Sequence, residues 1–217
     1  MADRTPPSDL AAERATWDTR FKSDDYVFGT APNAFLARQR DRLMRFPAPA
    51  RVLSVADGEG RNSVWMAEQG LQVTAFDLSP VGVAKAERLA ATRGVKVGFE
   101  VGDVYGWRWP AATYDAVVAI FVQFADPPMR AFMFERMAAA CKPGGLVIIE
   151  GYTPKQLVHK TGGPGILENL YTAAMLRDAF KGCEILELRE YEAELNEGAR
   201  HAGTSAIVDF VGRKPLS

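Results

Sequence analysis

The chain has 217 residues, 47% of them hydrophobic and 24% charged, which fits one α/β domain with a substantial core better than two domains. Its 26 basic and 27 acidic side chains give a net charge of −1 and are interspersed, which disfavours a nucleic-acid-binding protein because such a protein would need a basic face. The sequence has no apolar run suited to a membrane span and no apolar signal region at its start, so we expect a cytoplasmic protein.

The first 48 residues are predicted to form a helical cover with an aromatic loop, and residues 49–217 a single domain. Residues 1–8 are expected to be a mobile tail, followed by a helix over Asp9–Arg20. After the aromatic loop, Asn33 is a good N-cap for a second helix.

The aromatic residues of this N-terminal part leave two interpretations open. Trp17, Tyr26 and Phe28 can be apolar anchors that hold the cover on the core. They can also present ring faces to a bound cation, an arrangement that stabilises by roughly 0.5–2 kcal/mol. Both interpretations place the aromatic loop over the body of the protein.

The sequence from Arg51 to Asp77 reads as a strand, a glycine turn, a helix and a second strand. The apolar strand breaks at Gly58 and Gly60, where the backbone can turn sharply and approach a ligand. Gly70 ends the helix, and the second strand carries Asp77 at its carboxyl end. A carboxylate in that place suits the two hydroxyls of a ribose, so this stretch predicts a site for an adenosine-containing ligand.

Ser63 bears on which ligand this is. A pyrophosphate site favours glycine at that position, where it lets helix and strand pack closely around the phosphate. The pattern Ala56-x-Gly58-x-Gly60 instead resembles motif I of the class I S-adenosylmethionine-dependent methyltransferases, whose donor carries no phosphate. Later stretches of the chain match further class I landmarks in order: Gly102-Asp103-Val104, Tyr114-Asp115 and Lys142-Pro143-Gly144-Gly145.

This resemblance implies a Rossmann-like α/β fold, with a mostly parallel seven-stranded sheet, an antiparallel last strand and helices on both faces. The segments Cys183–Leu195 and Ser205–Arg213 form a predicted antiparallel hairpin, which ordinary dinucleotide folds lack. By resemblance, Asp77 binds the ribose of S-adenosylmethionine, Asp103 accepts a bond from the adenine amino group and Val104 donates its backbone N–H to the ring. A simple turn role remains the alternative for Asp103.

The implied donor site can be given as one set. It comprises Phe28, Ala56, Asp57, Gly58, Gly60, Asn62, Asp77, Leu78, Ser79, Asp103, Val104 and Phe121. The motif departs from the family at three places: Ser54 replaces an acidic residue, Ala56 replaces the first glycine, and Asp57 stands where many relatives have a small residue. We expect the shape of the turn to survive these departures.

Candidate acceptor-site residues come from other segments. Gln123 follows the fourth strand, where ligands bind in open α/β sheets, and it is expected to touch the acceptor or the donor; capping the helix at Pro127-Pro128 is the alternative. The stretch from Tyr26 to Asn33 resembles the N-terminal segment of tellurite-resistance-type and thiopurine-methyltransferase-like enzymes. This implies a small, soft or anionic acceptor, such as a thiol or an oxyanion of selenium or tellurium. The candidate catalytic residues are Gln123, Arg177 and Tyr26, with Tyr152 as a further pocket residue.

Several other interpretations stay open at this point. The glycine- and proline-rich segment 153–165 is typical of a binding lid, and its His159 is either a general base or a loop residue of no special role. Trp107 and Trp109 either cover the core and the adenine side of the pocket or stack nucleic-acid bases. Cys141 and Cys183 are isolated thiols without metal-type spacing, and no metal site is predicted.

The sequence therefore predicts methyl transfer by in-line displacement, in a protein that binds no nucleic acid or membrane and for which a monomer is favoured. Two alternatives from other classes remain. One is a regulatory protein that binds S-adenosylmethionine without turnover, and the other is a dinucleotide-dependent oxidoreductase.

Overall fold

The structure, a computed structural model, describes residues 10–198 and 202–216. The tail expected at residues 1–8, and Asp9 at the predicted start of the first helix, lie outside this part of the chain. Within it, the strands are β1 Arg51–Val55, β2 Gln72–Asp77, β3 Gly98–Val101, β4 Tyr114–Ile120, β5 Cys141–Tyr152, β6 Glu184–Asn196 and β7 Ala202–Arg213. The α-helices are α1 Leu10–Phe21, α2 Ala34–Arg38, α3 Arg40–Leu43, α4 Arg61–Glu68, α5 Pro80–Arg93, α6 Pro127–Ala140, α7 Gln156–His159 and α8 Ala173–Ala179.

All seven strands form one sheet, in the order β3-β2-β1-β4-β5-β7-β6. The neighbouring strands β3, β2, β1, β4 and β5 are all parallel to one another, whereas β7 runs antiparallel to both β5 and β6. The predicted fold class, including the antiparallel last strand, is therefore confirmed. The proposed boundary between a cover and a domain at residue 48 stays a prediction.

The central strands are buried on both faces, which explains their continuous apolar runs. Alternate residues of β1 face opposite sides of the sheet: Leu53 joins a cluster with Met133 of α6 and Leu176 of α8, while Val52 joins a second cluster with Met66 of α4. Helices therefore cover both faces. None of the helices in the described residues is long and apolar enough to cross a membrane.

Local capping sets the ends of the helices beside the sheet. The Ser79 hydroxyl accepts a hydrogen bond from the Gly82 N–H (3.0 Å) at the start of α5, as an N-cap should. At the start of α6, the Asp126 side chain accepts from the Met129 N–H (2.8 Å). The alternative role of Gln123, as the cap of this helix, is therefore wrong.

The third strand is shorter than the sequence pattern suggests. Its alternation begins at Val95, but β3 begins at Gly98. The Val95 N–H donates to the Ala90 carbonyl (3.1 Å) and closes the C-terminus of α5 beyond the left-handed Gly94. This bond assigns Val95 to the helix cap instead of the sheet.

Two glycines with similar backbone conformations test how tightly the glycine turn packs. Gly60 has φ +89° and a β-carbon there would lie 2.6 Å from the Ala86 β-carbon, whereas Gly94 has φ +68° and open space around it. We expect Gly94→Ala to lower the free energy of unfolding by about 1–2 kcal/mol, the cost of a left-handed alanine. Gly60→Ala should cost a further ~1–3 kcal/mol through overpacking. Urea denaturation of both variants measures the difference, and equal losses would contradict the packing of α4 against α5.

Candidate active site

Two cavities open side by side at the carboxyl ends of the parallel strands. The first is lined by the ends of β1, β2 and β4, the loop after β3, and residues of α1. The second lies under α1 and the segment that follows β5. Four aromatic side chains line both cavities and form the wall where they meet: Trp17, Phe28, Phe121 and Phe124. We call these four the shared aromatic wall.

Asp77 is the best-positioned acidic group of the first cavity. Its Oδ2 accepts from the Gly58 N–H and its Oδ1 from the Ser79 N–H, both at 2.8 Å, and the residue is 8% exposed. Each carboxylate oxygen can accept more than one hydrogen bond, so the side chain is oriented by the backbone and retains acceptor capacity. Burial raises the pKa of Asp77 to about 6, because the charged form is poorly solvated.

The unusual residues of the glycine turn bond to one another. Asp57 Oδ1 accepts from the Ser54 hydroxyl (2.7 Å), and Oδ2 accepts from the Ser63 hydroxyl. Burial raises the pKa of Asp57 above its usual value, and the two hydroxyls partly oppose this by bonding to the charged form. Ala56 takes a left-handed conformation, φ 49°, where glycine would be less strained. The shape of the turn thus survives the three departures at Ser54, Ala56 and Asp57.

The first cavity has an acidic lining. Glu13, Asp57, Asp77 and Asp103 line it, and Arg61 is the one basic residue among its lining residues. Arg61 is itself paired with Glu197 (2.8 Å). Burial raises the pKa of Glu13, and the nearby charges of Asp103 and Asp126 add to this rise. The cavity therefore suits a cationic ligand and disfavours a pyrophosphate.

Asp103 stabilises a turn and also faces the first cavity, while its contact with the adenine stays a prediction. Its Oδ1 accepts from the backbone N–H groups of Tyr105 and Gly106 at 2.8 Å, so it does stabilise a turn. It also lines the first cavity together with Val104. Trp107 is only 7% exposed and stacks on Phe76, with ring centroids 4.5 Å apart. A base-stacking role for Trp107 is therefore wrong, since its ring belongs to the core.

A buried ion pair fixes the N-terminal loop over the first cavity. Lys85 of α5 and Glu59 of the glycine turn are 2.5 Å apart, and both side chains are almost completely buried. The Lys85 ammonium also donates to the carbonyls of Ser23 (2.8 Å) and Asp25 (2.6 Å). Glu59 Oε2 accepts from the Val27 N–H at 2.8 Å. The pair thus holds both ends of the loop that places Phe28 in the shared aromatic wall.

Tyr26 belongs to this anchor. Its hydroxyl donates to the Lys85 carbonyl (3.1 Å), and the Lys85 ammonium lies 4.9 Å from its ring centroid. Tyr26 lines neither cavity, so the structure places it as an anchor and does not bring it to the reacting groups. Trp17 and Phe28 differ, because both line the two cavities.

The first cavity is narrow because α1 covers it. Leu10, Glu13, Trp17 and Phe21 of α1 line the cavity, whose volume is about 100 Å³. Most small-molecule pockets measure about 300–1,000 Å³, so the cavity is small beside them where α1 covers it. Sequence reasoning missed Leu10, Glu13 and Phe21, and the signal that could have found them was the pair of aromatic residues four positions apart, Trp17 and Phe21.

The second cavity is larger, about 790 Å³. Gln123 lines it, but its amide is engaged with backbone: Nε2 donates to the carbonyls of Tyr152 (2.9 Å) and Asn169 (3.2 Å), and Oε1 accepts from the Tyr152 N–H (2.5 Å). Gln123 therefore positions the segment after β5. Tyr152 is also part of the cavity wall, with its ring 4.6 Å from that of Phe121.

Other residues singled out from the sequence lie elsewhere. Arg177 is exposed on α8 and lines neither cavity, so the structure does not bring it to the acceptor side as expected. Gly60 and Ser79 are the N-cap residues of α4 and α5 and do not line the first cavity. His159 also lies outside both cavities and bonds to Glu192 (2.5 Å), which favours a loop residue over a general base. The remaining predicted donor-site residues line the first cavity: Phe28, Ala56, Asp57, Gly58, Asn62, Asp77, Leu78, Asp103, Val104 and Phe121.

Comparison with known sequences identifies the central part of the chain. Residues 52–145, which contain the glycine turn, Asp77 and Asp103, match the family described as methyltransferase domain. This segment is thus similar to the methyltransferase domain of other proteins. The ubiquinone biosynthesis O-methyltransferase of Xanthomonas axonopodis pv. citri is 36% identical over 104 residues, which cover 48% of this chain and 43% of that protein. The chain thus spans less than half the length of the curated relatives it matches.

Solved structures extend the similarity in fold to almost the whole chain. A structure from work on the conversion of a disulfide bond into a thioacetal group during echinomycin biosynthesis has a TM-score of 0.74 at 18% identity, covering 94% of this chain and 93% of that one. The N-methyltransferase NodS from Bradyrhizobium japonicum, solved with S-adenosylhomocysteine, has a TM-score of 0.68 at 14% identity, with 93% and 98% covered. TehB from Haemophilus influenzae has a TM-score of 0.66 at 16% identity, with 93% and 67% covered. These similarities confirm the fold of the methyltransferase domain and leave the tellurite-type subgroup unconfirmed.

The Lys85–Glu59 pair can be tested by removing one partner. Lys85→Met leaves the Glu59 carboxylate buried without its cation, and such a change typically costs about 3–5 kcal/mol of stability. We also expect weaker binding of S-adenosylhomocysteine, because the loop carrying Phe28 loses its anchor. Urea denaturation and calorimetry measure the two effects. The matched control is Lys96→Met at an exposed lysine. The double variant Lys85→Met/Glu59→Gln should recover part of the stability, because it leaves no unpaired buried charge. If Lys85→Met were as stable as the control, the ion pair would not anchor the loop.

The raised pKa of Asp77 predicts a pH-dependent affinity. Ribose hydroxyls donate to the ionised carboxylate, so below pH about 6 binding must first ionise Asp77. The Kd of S-adenosylhomocysteine should rise about tenfold for each pH unit below that value and level off above it. The stability of the ligand-free protein depends on pH in the opposite direction to its affinity for the ligand. Because the pKa of Asp77 is raised by folding, the stability that the neutral carboxyl contributes is present at low pH and is lost as pH rises through about 6.

Calorimetric titrations between pH 5 and pH 8 measure this dependence. In Asp77→Asn the slope should flatten, because the amide does not titrate in this range. A constant Kd across the whole range in the unmodified protein would show that Asp77 does not bind the ligand as an ionised acceptor.

Proposed function

We propose that the protein is an S-adenosylmethionine-dependent methyltransferase that transfers the methyl group to a small, soft or anionic acceptor, such as a thiol or an oxyanion of selenium or tellurium. One observation carries this proposal: an acidic cavity and a larger second cavity meet at the shared aromatic wall. The donor occupies the first cavity and the acceptor the second. Their reacting atoms face each other at the wall.

The first cavity matches the donor in charge and in hydrogen-bonding groups. S-adenosylmethionine carries a sulfonium, an ammonium and a carboxylate, so its net charge is positive in a cavity with four acidic lining residues. Asp77 binds the ribose, and Asp103 and Val104 bind the adenine. A sulfonium at the shared aromatic wall is stabilised by the ring faces, by roughly 0.5–2 kcal/mol at each favourable contact.

The reaction needs alignment more than it needs a protein nucleophile. The acceptor atom forms a bond to the methyl carbon with its lone pair as the carbon–sulfur bond breaks, and the bonding pair stays on sulfur to give a neutral thioether. A proton on the acceptor atom leaves to solvent before or after transfer. Holding the two reactants in line and excluding water supplies most of the rate acceleration in such a step. The acidic cavity then holds the neutral product less strongly than the cationic donor, which favours exchange.

Soft and anionic acceptors fit this site because they ionise readily. The candidate catalytic residue Tyr26 and the candidate general base His159 both lie outside the second cavity. An acceptor that is already ionised needs little base catalysis. A direct contact between Gln123 and the acceptor remains a prediction, and its amide in any case holds the Tyr152 backbone that forms the cavity wall. That the protein acts as a monomer in the cytoplasm, apart from nucleic acid and membranes, likewise remains a prediction.

The two alternative functions are separable from this proposal. A dinucleotide-dependent oxidoreductase is disfavoured because a pyrophosphate would be repelled by the acidic lining of the first cavity. A regulatory protein without turnover would bind the donor in the same way. Formation of S-adenosylhomocysteine with a panel of thiols and oxyanions of selenium and tellurium distinguishes the enzyme from the sensor.

Donor binding rests on Asp77 and gives the direct test. Asp77→Ala removes charge-assisted hydrogen bonds to the ribose, each worth ~1.5–3 kcal/mol, so we expect the Kd of S-adenosylhomocysteine to rise at least tenfold. Asp178→Ala, at an exposed aspartate of α8 outside both cavities, is the matched control and should bind as the unmodified protein does. Calorimetry measures both. Equal affinity in Asp77→Ala and the control would overturn the donor site.

A further inference from the structure

The ionisable groups of the second cavity are of one sign. Apart from Tyr152, its titratable lining residues are Arg20 and Lys160, and no aspartate or glutamate lines it. The first cavity has four acidic lining residues. This division of charge between neighbouring cavities suits two ligands of opposite charge: a cationic donor and an acceptor that carries an anionic group.

The two cations come from separate covering segments. Arg20 lies in the last turn of α1, with its guanidinium 4.3 Å from the ring centroid of Trp17, so one positive charge stands beside the shared aromatic wall. Lys160 follows α7, where it takes a left-handed backbone conformation at the start of the glycine-rich segment. An anionic group that bonds to both side chains would link the helix to that segment across the cavity.

The size of the second cavity bears on the rest of the acceptor. Its volume of about 790 Å³ lies within the range of about 300–1,000 Å³ that is usual for organic ligands. A water molecule takes up about 30 Å³, and an inorganic oxyanion, only a few atoms larger, would leave most of the cavity to solvent. Among the proposed acceptors, the size of the cavity therefore favours an organic molecule over an inorganic oxyanion.

Aromatic rings and two leucine side chains belong to the apolar part of its lining. The shared aromatic wall, the Tyr152 ring and the side chains of Leu157 and Leu170 all contribute to it. Aromatic side chains favour offset-stacked or edge-to-face contacts with other rings, which orients a planar ligand better than a flexible chain. A ring held in this way brings a substituent to the sulfonium with little loss of conformational entropy.

From these features, and resting on the proposed function, we infer that the acceptor is a planar, ring-bearing organic acid. Arg20 and Lys160 hold its carboxylate, and a different atom, the sulfur of a ring-attached thiol, receives the methyl group at the shared aromatic wall. The anionic group is thus the handle for binding and not the nucleophile. The nucleophilic atom loses its proton to solvent, forms the bond to carbon, and the donor sulfur keeps the electron pair of the broken bond.

The test uses the full chain saturated with S-adenosylhomocysteine, so that turnover is not required. The probes are 2-mercaptobenzoate, its methyl ester, mercaptoacetate and tellurite, which separate ring, charge and size. We expect 2-mercaptobenzoate to bind at least tenfold more tightly than each of the other three, as measured by calorimetry, since one charge-assisted pair accounts for about a factor of ten. An acid that binds no better than its ester, or tellurite or mercaptoacetate that binds as well as the ring acid, would overturn the inference.

Charge variants assign the effect to the two residues. Arg20→Gln and Lys160→Gln should each weaken binding of the acid about tenfold and leave binding of the ester unchanged. Arg45→Gln and Lys96→Gln, at exposed positions outside both cavities, are the matched controls. Equal losses for acid and ester would show a structural effect and contradict the role of the charges. If the protein did not bind S-adenosylhomocysteine, the proposed function would be overturned. The affinities of the acid and the ester, measured in the absence of S-adenosylhomocysteine, would still test whether the second cavity binds a carboxylate.

Discussion

The buried ion pair between Lys85 and Glu59 is the constraint on which the site depends. Both side chains are removed from solvent, so each charge would be costly without the other, and the remaining donors and acceptors are used on the backbone of the N-terminal loop. The pair therefore joins the glycine turn, α5 and the aromatic loop into one unit. Phe28 occupies the shared aromatic wall because this unit places it there. Without the N-terminal cover the wall would lack Trp17 and Phe28 and keep only Phe121 and Phe124, which follow β4.

The carboxyl edge of the sheet and the N-terminal cover contribute different groups to the two cavities. The strand ends supply groups fixed by backbone hydrogen bonds, of which Asp77 is the clearest case. The cover supplies apolar surface and charge: Glu13 on the donor side and Arg20 on the acceptor side both belong to α1. One helix thus lies over both cavities.

The segment after β5 is held in place by polar side chains inside the protein. Gln123 satisfies backbone groups of Tyr152 and Asn169, and the Asn169 amide donates in return to the carbonyl of Phe124 (3.3 Å). Buried amides of this kind are retained because an unsatisfied backbone group in the interior costs ~1–3 kcal/mol. The wall of the second cavity is consequently rigid on the side of the sheet, while Lys160 and the glycines beyond it stand on the more exposed side.

The sequence by itself determined the sheet, the turn and the donor side of the site. These features can be predicted because each depends on residues that are close together in the sequence. They are the apolar runs of strand length, the glycines Gly58 and Gly60, Asp77 at the end of a strand, and the hairpin formed by β6 and β7. Only the tertiary structure decided which distant side chains meet. Tyr26 bonds to Lys85 outside the cavities, the Gln123 amide bonds to the backbone, and Arg177 is exposed. The sequence did not predict these positions because each depends on contacts between segments far apart in the chain. The same holds for Glu13 and Arg20, whose roles follow from where α1 packs and not from any motif around them.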